Sequence, residues 1–152
     1  MSLELNRIFR PDRITKMMGN DMGYRSNVAY TIRFTGDDDT AVKQSFYVFL
    51  AEAKTKFPSA FGDECLTVDE GNYALKFFAE SVKWYEDYED VKCHEGLVTL
   101  ARDWVEDQGN EFIGGIFMRI GEETDDIVED YFGAYDYQWM NISRSIYVDW
   151  TG

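Results

Sequence analysis

Histidine, cysteine and proline are scarce in this chain: its 152 residues include one His, two Cys and two Pro. Cys65, Cys93 and His94 are too few, and fall in no recognised spacing, to supply the four ligands of a tetrahedral zinc site. No phosphate-binding loop is present, because Gly114-Gly115 is not followed by a second glycine with Lys-Ser/Thr. The acidic stretch after residue 120 lacks the Asp-x-Asp-x-Asp-Gly series of a calcium loop. No cofactor is therefore expected. A run of about 18 uncharged apolar residues is also missing, which excludes a membrane-spanning helix. Met1 to Arg13 has no continuous apolar stretch and no small-residue cleavage site follows, so a cytoplasmic chain with reduced thiols is expected.

Basic residues are few as well. Fifteen Lys+Arg stand against 29 Asp+Glu, a formal net charge of -14 and a pI near 4.3. Such a chain repels a phosphate backbone, so direct nucleic-acid binding is disfavoured, although Tyr24, Arg25 and Arg33 lie near one another. What the chain has in quantity is apolar material: 45% hydrophobic residues, with 11 Phe, 10 Tyr and 4 Trp. That is the composition of a folding chain rather than a disordered one. A domain of this length removes roughly 68 to 70% of its unfolded surface from water and needs neither disulfides nor a structural metal.

Charge is unevenly spread. Residues 1 to 33 hold six bases and three acids, and the remainder nine bases and 26 acids. Residues 1–21 show no clean period, contain Pro11 and end in Met17-Met18-Gly19-Asn20, so they are expected to form a loosely ordered arm. Residues 22–152 are expected to form a single α+β domain. Within it, Val28, Tyr30, Ile32 and Phe34 alternate with Thr31 and Arg33, the pattern of a strand with one buried face. Ala41, Phe46, Val48, Phe49, Ala53 and Phe57 recur at helical steps until Pro58, with Asp37 to Asp39 to cap the helix and Lys54 and Lys56 near its end. Cys65 to Val68 and Tyr73 to Trp84 read as a hairpin closed by Glu70-Gly71-Asn72, although Ala74, Phe78 and Val82 also match a helical period. Val91, Leu97, Val98, Ala101, Trp104 and Val105 predict a second helix ending before Gly109. Phe112 to Ile120 reads as a strand buried on both faces, with Gly114 and Gly115 marking a bulge or the close approach of the second helix. Ile127 to Phe132 reads as an edge strand or a short helical turn, and residues 139–148 as a final strand. The order β, α, β, β, α, β, then one or two C-terminal strands predicts an antiparallel sheet with two helices on one face, ferredoxin-like in arrangement.

Three short motifs carry a resemblance. Met22-Gly23-Tyr24-Arg25-Ser26-Asn27-Val28-Ala29 resembles the N-terminal signature of a group of small, uncharacterised phage and prophage proteins. Arg119-Ile120-Gly121-Glu122 with Asp125-Asp126-Ile127 is similar to a motif near that group's C-terminal end, and Ile142-Ser143-Arg144 looks like its closing strand. The resemblance spans most of residues 22–148. It implies a phage or prophage origin and a bacterial host cytoplasm, and brings no activity with it. Gly23, Tyr24, Arg25, Arg119 and Gly121 are its structural positions, and Arg25 or Arg119 is expected to clamp the carboxylates of the Glu122 to Asp126 loop.

Two constellations invite chemistry. Cys93 and His94 are adjacent, and adjacent side chains on a helix diverge by about 100°, so they cannot form a nucleophile–base pair. A helix-surface His beside a half-buried Cys is expected instead. Glu122, Glu123, Asp125, Asp126, Glu129 and Asp130 supply hard oxygen donors for Mg²⁺ or Ca²⁺, but a solvated acidic turn accounts for them equally, so no metal is expected. The reading these features favour is a binding protein rather than an enzyme. Asp87, Glu89 and Asp90 together with the six acids just named would form a face that meets a basic host or phage protein, in the manner of a nucleic-acid mimic or host-factor inhibitor. The alternatives are a carboxylate-metal hydrolase using residues 122 to 130, and a homo-oligomer assembled through Tyr135, Tyr137, Trp139 and Trp150.

Overall fold

The computed structural model describes residues 23–140. Five strands form one antiparallel sheet: β1 (Ser26–Phe34), β2 (Leu66–Asp69), β3 (Ala74–Val82), β4 (Ile113–Gly121) and β5 (Ile127–Gly133), in the order β2-β3-β1-β4-β5. Three helices intervene, α1 (Asp39–Lys56), the short α2 (Pro58–Phe61) and α3 (Glu89–Glu106), and a 3-10 turn at Tyr137–Trp139 follows β5. The arm expected over residues 1–21 lies outside the described residues. So does the final strand from residue 141 onward, while Trp139, its expected start, is in the 3-10 turn.

The period-two pattern of β1 sets the register. Val28, Tyr30 and Ile32 stand opposite Ala79, Phe77 and Leu75 of β3, and Tyr30 and Phe34 opposite Phe117 and Ile113 of β4. These side chains share one face and form the core with Phe46, Phe49 and Ala53 of α1 and Val91, Leu97, Ala101 and Trp104 of α3, so both long helices cover that face. Aromatic edges lock the layers. Phe34 meets Phe46 and Trp104 edge-on, and Phe49 meets Trp104 at 89°. The Asp38 side chain caps α1 by accepting from the Ala41 N–H at 3.2 Å, and Pro58 turns the chain into α2, which the hydrophobic period did not announce.

The glycine pair has a different cause from the one expected. Residues 26 to 34 of β1 pair with 121 to 113 of β4 without a shift, so there is no bulge, and the close approach comes from β5 and its continuation rather than from α3. A Cβ on Gly115 would lie 2.1 Å from the Phe132 ring, and one on Gly114 would lie 2.4 Å from the Ala134 and Tyr135 backbone. Ile127–Gly133 is a strand, not a helical turn, and forms the sheet's edge beside β4.

Candidate functional site

Strand register brings the two acidic segments together. Ser26 pairs with both Val82 and Gly121, and Ile120 with Ile127, so the start of β1, the end of β3 and the β4–β5 hairpin all lie at one end of the sheet. The β3–α3 connection, with Asp87, and the first turn of α3, with Glu89 and Asp90, begin at that same end.

Tyr24 ties the two segments. Its backbone N–H donates to the Tyr85 hydroxyl at 2.7 Å, on the β3–α3 connection. Its own hydroxyl donates to Asp126 Oδ2 at 2.5 Å and accepts from the Glu123 N–H at 3.2 Å, on the hairpin. Gly23 precedes it with a φ of +63°, a left-handed conformation that glycine adopts at little cost. A Cβ there would also collide with Lys83 and the Tyr85 hydroxyl.

Of the two arginines expected to clamp the hairpin, Arg119 takes the role with its side chain. Its guanidinium donates to Asp126 at 3.0 and 2.6 Å and to the Ser26 hydroxyl at 3.2 Å, with the ion pair almost fully buried. The Arg25 side chain turns away to the Ser81 carbonyl at 2.8 Å, and only its backbone N–H reaches the hairpin, donating to Glu122 at 2.5 Å. Gly121 leaves room for this network, because a Cβ there would fall 2.0 Å from Asp126 Oδ2 and 2.5 Å from the Tyr24 hydroxyl.

The nine acids of the expected face do not all share it. Asp87, Glu89, Asp90, Glu122 and Asp125 are exposed at this end, and Glu123 is half-buried. Asp126 is 1% exposed and consumed by Arg119. Asp130 points to the helix-covered face, where it pairs with Arg102 of α3. Glu129 faces the opposite side of β5. Glu86, which charge patterning passed over, is exposed on the same connection as Asp87. The opposite end of the sheet is acidic too, and four of its carboxylates are engaged in local structure. Asp38 caps α1, Asp39 accepts from Tyr73, Asp69 accepts from Asn72 and Lys76, and Glu70 accepts from Tyr47.

His94 is not on a helix surface. It is 1% exposed, enclosed by Phe77 and Trp84, while Cys93 is half-buried and unbonded to Cys65. Its Nδ1 lies 2.6 Å from the Tyr30 hydroxyl and its Nε2 2.9 Å from Asp63. Burial pushes the His94 ring below its ordinary 6.5, against the opposing pull of the Asp63 and Asp90 carboxylates. Burial also drives the Tyr30 hydroxyl well up. For Asp63 burial acts upward, but hydrogen bonds from Cys65 and His94 prevail and hold the carboxyl below its usual value. The alternating pattern of β1 hid Tyr30's partner, since polar bonding across 64 positions leaves no local mark.

Among the described residues no group of three or more His, Cys, Asp or Glu is placed to hold a metal ion, the acids of residues 122 to 130 included. No helix among them is long and apolar enough to cross a membrane. The chain matches no protein family, no curated protein and no solved structure.

Proposed function

We propose that the protein is a phage or prophage accessory protein of the bacterial cytoplasm that works by binding a basic host or phage protein through the acidic end of its sheet, as a nucleic-acid mimic or host-factor inhibitor. The observation that carries this reading is the juxtaposition made by Tyr24: two acidic segments far apart in the chain meet on a fixed frame. Seven acids, Glu86, Asp87, Glu89, Asp90, Glu122, Glu123 and Asp125, stand there against Arg25, Lys83 and Lys92. A predominantly acidic patch of this kind steers a basic partner and speeds association, and salt screens it beyond a Debye length of about 10 Å at 0.1 M. The motifs that resemble phage proteins contribute Gly23, Tyr24, Arg25, Arg119 and Gly121, the residues that build the frame. We read the fold as ferredoxin-like, extended by β5. Support comes from the order β2-β3-β1-β4 with antiparallel neighbours and two crossover helices on one face.

The test is a pull-down from bacterial lysate with the full chain as bait, at low and high salt, read by mass spectrometry. Capture of a basic nucleic-acid-binding protein at low salt only is expected. Changing Asp87, Glu89, Asp90, Glu122 and Asp125 to their amides abolishes it, and neutralising Asp37, Asp107 and Glu111 at the other end does not. Equal loss from both sets overturns the reading.

Self-association is a second reading, favoured by one feature. Tyr131, Tyr135 and Tyr137 pack together with ring centroids 5.1 to 5.4 Å apart, and Tyr137 remains 67% exposed. A sizing column run on the wild type and on Tyr137→Ser separates it from the first.

A further inference from the structure

We propose that the Tyr30–His94–Asp63 chain is an acid-sensitive latch: protonation of His94 reverses its bond to Tyr30, strips the Tyr30 hydroxyl of its acceptor and so weakens the tie between α3 and the central strand of the sheet. The inference is independent of the acidic-end reading.

The three groups join three separate elements. Tyr30 lies on β1, His94 on α3, and Asp63 on the connection between α2 and β2. A carboxylate only accepts hydrogen bonds, so the contact at 2.9 Å puts the ring proton on Nε2. Nδ1 then holds a lone pair, and the Tyr30 hydroxyl, 2.6 Å away, donates to it. Only the neutral imidazole both donates to Asp63 and accepts the Tyr30 hydroxyl proton.

The surroundings make the other state costly. Phe77 of β3 lies 4.2 Å from the ring centre, and Trp84 of the β3–α3 connection 5.9 Å, its indole N–H donating to Glu95. The charged or titratable groups facing His94 are Tyr30 from β1, Asp63 from the α2–β2 connection and Asp90 from its own helix. When Nδ1 gains a proton, the Tyr30 hydroxyl must turn from donor to acceptor. Its hydrogen then loses the Nδ1 acceptor on a residue that is 1% exposed, and a buried donor left unpaired is costly. The bond to Asp63 survives as an ion pair. The cost of protonation therefore falls on the sheet side. Because burial holds the folded ring's midpoint under the ordinary 6.5, the unfolded chain takes up the proton first. Stability from the latch is complete above pH 6.5 and is lost as pH falls from there toward the folded midpoint.

His94 is the chain's one histidine, so its ring nitrogens give a single unambiguous NMR signature in the full protein. At about pH 7.5 the expected signature is a protonated Nε2 and a bare Nδ1, with a titration midpoint below 6.5. Tyr30→Phe raises that midpoint, because the donor to the neutral ring is gone. Asp63→Asn lowers it, because the carboxylate that favours the charged ring is gone. In urea unfolding, the wild type's advantage over His94→Gln falls by up to about tenfold per pH unit below 6.5. Should His94→Gln fail to fold, the two variants that keep the ring still decide the matter. A proton on Nδ1 at pH 7.5, a midpoint at or above 6.5, or midpoints unmoved in both variants overturns the latch.

Discussion

Arg119 and Asp126 face each other across the β4–β5 hairpin with two hydrogen bonds, and at 3% and 1% side-chain exposure water does not replace either partner. Removing one partner of such a pair leaves a buried charge uncompensated, which costs about 3 to 5 kcal/mol. Asp126→Ala and Arg119→Ala are expected to lose that much in urea unfolding, while a double change to apolar residues recovers much of it. Tyr24→Phe removes a hydrogen bond to a charged group and is expected to cost about 2 kcal/mol. A loss below about 1 kcal/mol in the Asp126 variant would show that the pair does not hold the hairpin.

The glycines of β4 answer to β5. Gly114→Ala forces a methyl group against the Ala134–Tyr135 backbone, which cannot yield as a flexible side chain would. Overpacking of this kind costs about 1 to 3 kcal/mol. Gly71→Ala, whose nearest neighbour would be an Asp69 oxygen at 3.6 Å, is expected to stay near wild type. Thermal melts of the two variants side by side check this, and equal melting temperatures would contradict it.

Val48 and Phe49 are adjacent on α1, yet only Phe49 faces the core. Phe49 is fully buried between Phe34 and Trp104, and Val48 is 55% exposed. Phe49→Ala should cost about 3 to 5 kcal/mol. Val48→Ala should shift stability by no more than about 0.5 kcal/mol. Denaturant midpoints for the pair measure the difference directly.

Asp69 closes the β2–β3 hairpin. Hydrogen bonds from the Asn72 amide and from Lys76 bring its carboxyl down from 3.8 to about 2. A depressed carboxyl stabilises the fold above its unfolded value and loses that contribution as pH falls through the folded one. The melting-temperature gap between wild type and Asp69→Asn should thus close as pH drops from 3.8 toward 2, and a gap constant over that range would refute the assignment.

Periodicity and local chemistry decided most of the elements. The alternation of Val28, Tyr30, Ile32 and Phe34, the helical stripe from Val91 to Trp104, and Asp38 ahead of α1 are local patterns, and each corresponds to the element observed. So does the Tyr73 to Trp84 run, whose competing helical match gave way once Leu75, Phe77 and Ala79 could pair with β1. Composition likewise determined that the chain folds and carries a large net negative charge, and the sequence has no long uncharged apolar run. Tertiary structure alone decided which residues share a site. Tyr24 reaches Tyr85 and Asp126, and Tyr30 reaches His94, across 61, 102 and 64 positions. It also separated acids that look alike in the chain: Asp125 stays in water, Asp126 goes to Arg119 and Asp130 to Arg102. Strand pairing sets such contacts through register, and register depends on every partner strand at once. A residue's neighbours along the chain therefore carry its periodicity but not the identity of the side chain it will meet.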